Sequence, residues 1–124
     1  MSKKIKVDKK LGIVFWIEGF SGSGKSTISK LIQKKVSSLY GPTIVLSGDV
    51  LRQLFNKKGY TKKDRIKNSY KFRDALFYIT KQKINIIYSV VGLNNKARKI
   101  YKKKIKNFFE IYIKSDIQKI IKLK

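Results

Sequence analysis

Apolar residues gather into four short, nearly continuous runs at 13–17, 44–46, 84–91 and 108–113, and the intervals between them carry apolar residues at helical spacing instead. Runs without polar alternation predict strands buried on both faces, as in a parallel sheet. The first interval predicts a helix with Ile28, Leu31, Ile32, Val36 and Leu39 on one stripe, stopped by Gly41-Pro42. A second helix opens at Thr61 with Asp64 three residues on, the pattern of a capping box, and turns Phe72, Ala75, Leu76 and Ile79 inward. Ala97, Ile100, Tyr101 and Ile105 repeat the spacing in a third, and Ser115 is a candidate N-cap for a last one carrying Ile117, Ile120 and Ile121. Strand and helix alternate throughout. That order predicts right-handed βαβ units in a three-layer α/β domain, with a mostly parallel sheet of about four strands. No repeat or linker interrupts it, and the lysine cluster at 102–104 reads as a solvated helix face.

A chain of 124 residues has room for one core, so 1–124 reads as a single domain. Hydrophobic residues at 42% and aromatics at 12% are enough to fold it, despite 31% charged residues. Lysine and arginine total 31 against 7 acidic residues, a formal charge of +24, which attracts any polyanion. The cations are nearly all lysine, with arginine only at Arg52, Arg65, Arg73 and Arg98. Lysine and isoleucine abound everywhere, as in a translated AT-rich gene, so nucleic acid is expected to bind only non-specifically through charge.

Cysteine and histidine are absent, which removes disulfides, thiolate chemistry, the common zinc sites and histidine-based triads. Chemistry falls to Asp, Lys, Arg, Ser and the backbone. A basic stretch at 1–10 before the apolar 11–17 has the outline of a signal peptide, but the apolar run stops at Glu18 and enters a glycine-rich loop. No other run approaches membrane-spanning length. The expectation is a cytoplasmic protein with no membrane contact and a basic N-terminal extension.

That loop, Gly19-Phe20-Ser21-Gly22-Ser23-Gly24-Lys25-Ser26-Thr27, has the P-loop spacing of glycine, four residues, glycine, lysine and serine, between a predicted strand and a predicted helix. Glycine lets the backbone turn tightly enough to aim successive N–H groups at phosphate oxygens, and the helix N-terminus adds positive potential. Lys25 would reach the β- and γ-phosphates and the Ser26 hydroxyl would ligate magnesium. Ser47-Gly48-Asp49 closes the second strand, where Asp49 suits a carboxylate for magnesium or for an acceptor hydroxyl. It suits equally an N-cap for residues 50–55. Glu18 reads as a strand-end solvent residue.

In order along the chain, GFSGSGKST, SGDVLR, GYTKKDRIKN, INIIYSVVGL and KNFFEIYIKSD resemble adenylylsulfate kinase, over nearly the whole length. The resemblance implies a P-loop kinase fold and phosphorylation of the 3′-hydroxyl of adenylyl sulfate by ATP with magnesium, a step of sulfate assimilation. It implies that Gly19, Ser21, Gly22, Ser23, Gly24, Lys25, Ser26 and Thr27 hold the ATP phosphates. Lys25 and Asp49 would be catalytic, with Ser26 and Asp49 at the metal. Arg52, Arg65 and Asn68 would contact the acceptor, and Tyr60 would stack on its adenine. Without the resemblance, Arg65 and Asn68 read as solvent residues of a first helical turn and Tyr60 as loop packing.

The chain departs from the family pattern at Ser47, where an aspartate is usual, at Gly92 in place of a serine, and at Lys102 in place of an arginine. It ends at Leu123-Lys124, before the family's lid and last strand, so a shortened domain is expected. Adenylyl sulfate is the expected partner, with a homodimer as the candidate assembly. The rivals are a P-loop kinase for another small hydroxylated acceptor, and an incomplete nucleotide- or RNA-binding domain without catalysis.

The loop generates a first prediction. Mg-ATP or Mg-ADP should raise the melting temperature, because a ligand that binds only the folded state stabilises it by mass action. Lys25→Ala should remove most of that shift in thermal melts; equal shifts in wild type and variant would assign phosphate binding to bulk charge instead.

Overall fold

The computed structural model describes residues 7–19, 25–55, 61–91 and 95–112. Among them run β1 (Val14–Gly19), α1 (Lys25–Tyr40), β2 (Thr43–Ser47), α2 (Gly48–Leu54), α3 (Lys62–Thr80), β3 (Asn85–Val91), α4 (Asn95–Lys104) and β4 (Phe108–Tyr112). The strands form one four-stranded sheet in the order β2-β3-β1-β4. Every pairing is parallel, with Val14 opposite both Ile86 and Phe108 and Ile44 opposite Ile86. The expected α/β architecture and its parallel sheet are therefore present. The predicted helix from Ser115 lies outside the described residues.

Strand order and handedness together decide where the helices go. From β1 the chain crosses to β2 on one side, then returns through β3 and passes to β4 on the other. Right-handed crossovers in opposite directions put their helices on opposite faces. Among the described residues α1 alone packs on one face, against Ile13, Phe15, Ile17 and Ile87. On the other face α2, α3 and α4 bring Leu51, Phe72, Leu76 and Tyr101 against Val14, Trp16, Ile86 and Tyr88. The core of β1 and β3 is at most 8% exposed on either face, which is why their sequences lack alternation. Among the described residues no helix is long and apolar enough to cross a membrane.

Helix detail departs from the sequence pattern in α1. Ile28, Ile32 and Val36 lie on its covered side together with Ser29 and Gln33 on the adjacent row, while Leu31 and Leu39 are exposed. The lysines at 102–104 are exposed as expected, and two of them reach carboxylates. Lys102 pairs with Glu110 at 3.1 Å, and Lys104 reaches Asp74 at 3.3 Å while lying over the Phe77 ring. Arg98 joins Glu110 as well, and its hydrogen bond is the main cause holding that carboxyl below the ordinary range. A depressed carboxyl contributes stability above its unfolded pKa and loses it as pH falls through the folded one.

The N-terminal edge of the sheet is closed by two buried asparagines. Asn85 Oδ1 accepts from Ile13 N at 2.9 Å, and its Nδ2 turns to the carbonyls of Tyr40 and Gly41. Asn107 accepts from Asp8 N and donates to the carbonyls of Asp8, Leu11 and Gly12. Gly12 passes so close to β3 that a Cβ there would stand 2.0 Å from the Ile84 carbonyl oxygen. Backbone cannot give way as a flexible side chain can. Gly12→Ala should destabilise the fold by about 3 kcal/mol or more, beyond an ordinary overpacked site; urea denaturation checks it, and a loss under 1 kcal/mol would show that the strand starts can separate.

Candidate active site

Of the described expected positions, Gly19, the backbone of Lys25 and Ser26, and Asp49 lie at the C-terminal edge of the sheet, opposite the two asparagines. β1 ends at Gly19, where the glycine-rich loop begins, and α1 opens at Lys25. β2 ends at Ser47 and runs directly into Gly48 and Asp49. β3 lies between these two strands, so the strand ends are two inter-strand spacings, roughly 10 Å, apart. The chain also reverses its direction of travel across the sheet at β1. In open α/β sheets, ligands bind at such a reversal, outside the carboxyl ends of the strands.

Gly19 stands at a strand end, and the backbone of Lys25, Ser26 and Thr27 forms a helix start. Ser21, Gly22, Ser23, Gly24 and Tyr60 lie outside the described residues, and so does Gly92.

The Ser47-Gly48-Asp49 segment resolves an alternative left open by the sequence. The N-cap of α2 is Ser47, whose backbone is extended and whose hydroxyl accepts from Val50 N at 3.1 Å. Asp49 is therefore not the cap; it sits inside the first turn. Its Oδ1 accepts from Arg52 Nη1 at 3.0 Å, and its side chain is 69% exposed while that of Arg52 is 10% exposed. A buried guanidinium thus holds an open carboxylate in place, leaving that carboxylate free to meet solvent or ligand. The open carboxylate of Asp49 suits magnesium, which keeps most of its waters and asks for one or two protein oxygens. Among the described residues no three Asp, Glu, His or Cys side chains gather into a metal cage.

On the acceptor side, Thr61 caps α3 as the pattern predicted: its Oγ1 accepts from Asp64 N and donates to Asp64 Oδ2. Arg65 is half-buried in the first turn, and Asn68 is only 6% exposed. The solvent-facing reading of Asn68 therefore fails, because α3 begins to bury its inner face at Asn68 and Ser69 rather than at Phe72. Glu18 also differs from a plain solvent residue, since its Oε1 accepts from the Trp16 indole at 3.0 Å.

What sequence reasoning missed lies beneath this edge. Tyr88 and Tyr101 bring their hydroxyls within 3.1 Å of each other, and the Tyr88 oxygen is 3.7 Å from the Cβ position of Gly48. The signal in the sequence was a tyrosine amid the β-branched residues of INIIYSVV.

A family model for adenylylsulphate kinase matches residues 11–122. A cytidine diphosphoramidate kinase of Campylobacter jejuni is 30% identical over 108 residues, 87% of this chain and 64% of the relative. An adenylyl-sulfate kinase of Gloeothece citriformis is 29% identical over 110 residues, 88% and 62% of the respective chains. The solved APS kinase of Mycobacterium tuberculosis, as a Cys556Ala mutant, superposes with a TM-score of 0.73 at 25% identity, covering 87% of this chain and 78% of that one. The chain spans less than two thirds of the length of these two curated relatives.

The capping role of Ser47 can be tested apart from any chemistry. Ser47→Ala should cost about 1 kcal/mol in urea denaturation, whereas Ser47→Asp, an equally good cap, should cost a few tenths. Equal losses in the two variants would remove Ser47 from the cap.

Proposed function

The chain belongs to the adenylylsulphate kinase family, and from that premise we propose that it transfers the γ-phosphoryl group of ATP to the 3′-hydroxyl of adenylyl sulfate. The observation that carries the proposal is the Asp49–Arg52 pair at the end of β2, one strand away from the loop that leaves β1. Phosphoryl transfer demands little covalent work from a protein; it demands positioning and charge. The loop backbone, with Lys25, holds the transferred phosphate on the β1 side. Asp49 stands on the β2 side as acceptor for the proton leaving the attacking hydroxyl. Its guanidinium partner fixes the carboxylate direction, and Arg65 and Asn68 in the first turns of α3 bind the anionic acceptor. Magnesium, bound with the nucleotide near Ser26 and Asp49, neutralises charge on the β- and γ-oxygens.

A second acceptor has support of its own. The Campylobacter jejuni relative is a cytidine diphosphoramidate kinase at an identity slightly above that of the adenylyl-sulfate kinases. Ser47, where the family usually carries an aspartate, changes the charge beside the acceptor. Adenylyl sulfate and cytidine diphosphoramidate are both anionic nucleotide derivatives bearing sugar hydroxyls, so the same arginines would serve either one.

A coupled assay for ADP release with each acceptor decides between them. We expect turnover with adenylyl sulfate, and Arg52→Ala and Arg65→Ala should each raise the acceptor KM at least tenfold while changing the ATP KM less than threefold. Release of ADP with cytidine diphosphoramidate alone would select the second acceptor, and none with either would exclude both. Slow turnover that Ser47→Asp improves would identify the missing carboxylate as the limiting group.

A further inference from the structure

The central strand ends on a carboxylate that packing does not explain. Glu18 is half-buried, immediately before the phosphate loop, and its Oε1 accepts from the Trp16 indole at 3.0 Å. An indole N–H needs one acceptor, which a neutral amide or hydroxyl would supply at a smaller desolvation cost than a carboxylate. A carboxylate also has room for several hydrogen bonds, so the indole leaves Oε2 able to accept another. The charge of Glu18 exceeds its structural use.

Its place in the sheet decides which part of a ligand it meets. Side chains alternate along a strand, so Glu18 shares the face of Val14 and Trp16, and Val90, opposite it on β3, packs against that same cluster. On this face lie α2 and α3, the helices that carry Asp49, Arg52, Arg65 and Asn68, whereas α1 packs on the other. Ser47 lies opposite Ser89 and Ser89 opposite Ile17, so Glu18 stands one residue beyond the level of the Ser47 cap, with β3 between them. A negative charge beside a phosphate loop repels phosphate and sulfate groups and attracts hydrogen-bond donors. On the acceptor face, the uncharged donors of a nucleotide derivative are its sugar hydroxyls.

We infer that Glu18 is a further acceptor-binding residue: its Oε2 accepts from the ribose 2′-hydroxyl while the 3′-hydroxyl meets Asp49, so the site prefers a ribonucleotide acceptor to its 2′-deoxy analogue. The inference rests on the kinase reading above and adds one contact to the same site. Asp49 reaches the sugar from β2 and Glu18 from β1, and the two hydroxyls are neighbours on one face of the ribose. Trp16 is then a positioning residue, because its indole holds Oε1 and thereby aims Oε2.

The test compares adenylyl sulfate with its 2′-deoxy analogue, by kcat/KM and by calorimetric Kd with Mg-ADP present. Wild type should prefer the ribo-acceptor about thirtyfold, as expected for one hydrogen bond to a charged group. Glu18→Gln keeps an oxygen for the indole and loses the charge, which should cut the preference to about fivefold, since a neutral acceptor makes roughly half as strong a bond. Glu18→Ala should abolish it, and Trp16→Phe should lower it. In each variant the loss falls on the ribo-acceptor, with the ATP KM within about twofold of wild type. An unchanged preference in the Glu18 variants overturns the inference and leaves Glu18 a partner of Trp16 only. Equal losses with the two acceptors also overturn it, because a proton acceptor or magnesium ligand does not sense the 2′-hydroxyl. If wild type releases ADP with cytidine diphosphoramidate alone, the adenylyl sulfate reading fails, and the ratio is measured on that acceptor and its 2′-deoxy analogue. If it releases none with either, the kinase reading fails and the calorimetric ratio decides Glu18 by itself; absence of binding overturns that assignment too.

Discussion

A parallel strand with a partner on each side and a helix layer on each face must be apolar along its whole length, and β1 is that strand. Val14 and Ile17 are fully buried, and the strand pairs with β3 and β4 in the same register. The rest of the architecture follows from its position. Because the chain leaves β1 in one direction and later passes it in the other, right-handed crossovers distribute the helices over both faces. The same reversal falls at the carboxyl end of β1, where the glycine-rich loop begins, the place at which open α/β sheets bind ligands. The opposite edge is shut by Asn85 and Asn107, which satisfy the backbone groups of the strand entries and bring Gly12 against Ile84. One edge is thus a clasp, and the other is left for ligands.

Both faces of the sheet bury polar groups. Beneath α1 the apolar cluster is Ile13, Phe15, Ile17, Ile28, Val36 and Ile87, and the same helix buries the Ser29 hydroxyl. Across the sheet the helices bury Arg52, Asn68 and Ser69 along with Tyr88 and Tyr101. Hydroxyls and guanidinium groups in a low-dielectric interior lose free energy if their partners move.

Charge acts mostly on what approaches the protein. Asp74 lies against Arg73 and Lys104, and Glu110 against Arg98 and Lys102, and the hydrogen bonds from Arg73 and Arg98 are the main causes lowering the two carboxyls. Pairs this exposed contribute little to folding and are screened by salt. The unmatched cations leave a positive field that draws phosphorylated molecules to the surface.

Read alone, the sequence determined the alternation of strands and helices, the phosphate loop and its context, the Thr61 cap and the family resemblance, since each depends on residues close together in the chain. The phosphate-loop motif needs only a strand, a turn and a helix in succession. Tertiary structure decided what depends on residues far apart. Whether Asp49 or Ser47 caps α2 turned on backbone conformation at one residue, because both carry a suitable oxygen. Asn68 is buried because α4 and the sheet cover the inner face of α3, which no first-turn pattern reveals. Leu31 and Leu39 are exposed because α1 turns Ser29 and Gln33, rather than their row, inward beside Ile28, Ile32 and Val36. Tyr88 and Tyr101 are 13 residues apart and look like two more apolar positions. Only the packing of β3 against α4 sets their oxygens together beneath Gly48, since a hydrogen bond between distant residues is a property of the folded chain and leaves no period in the sequence.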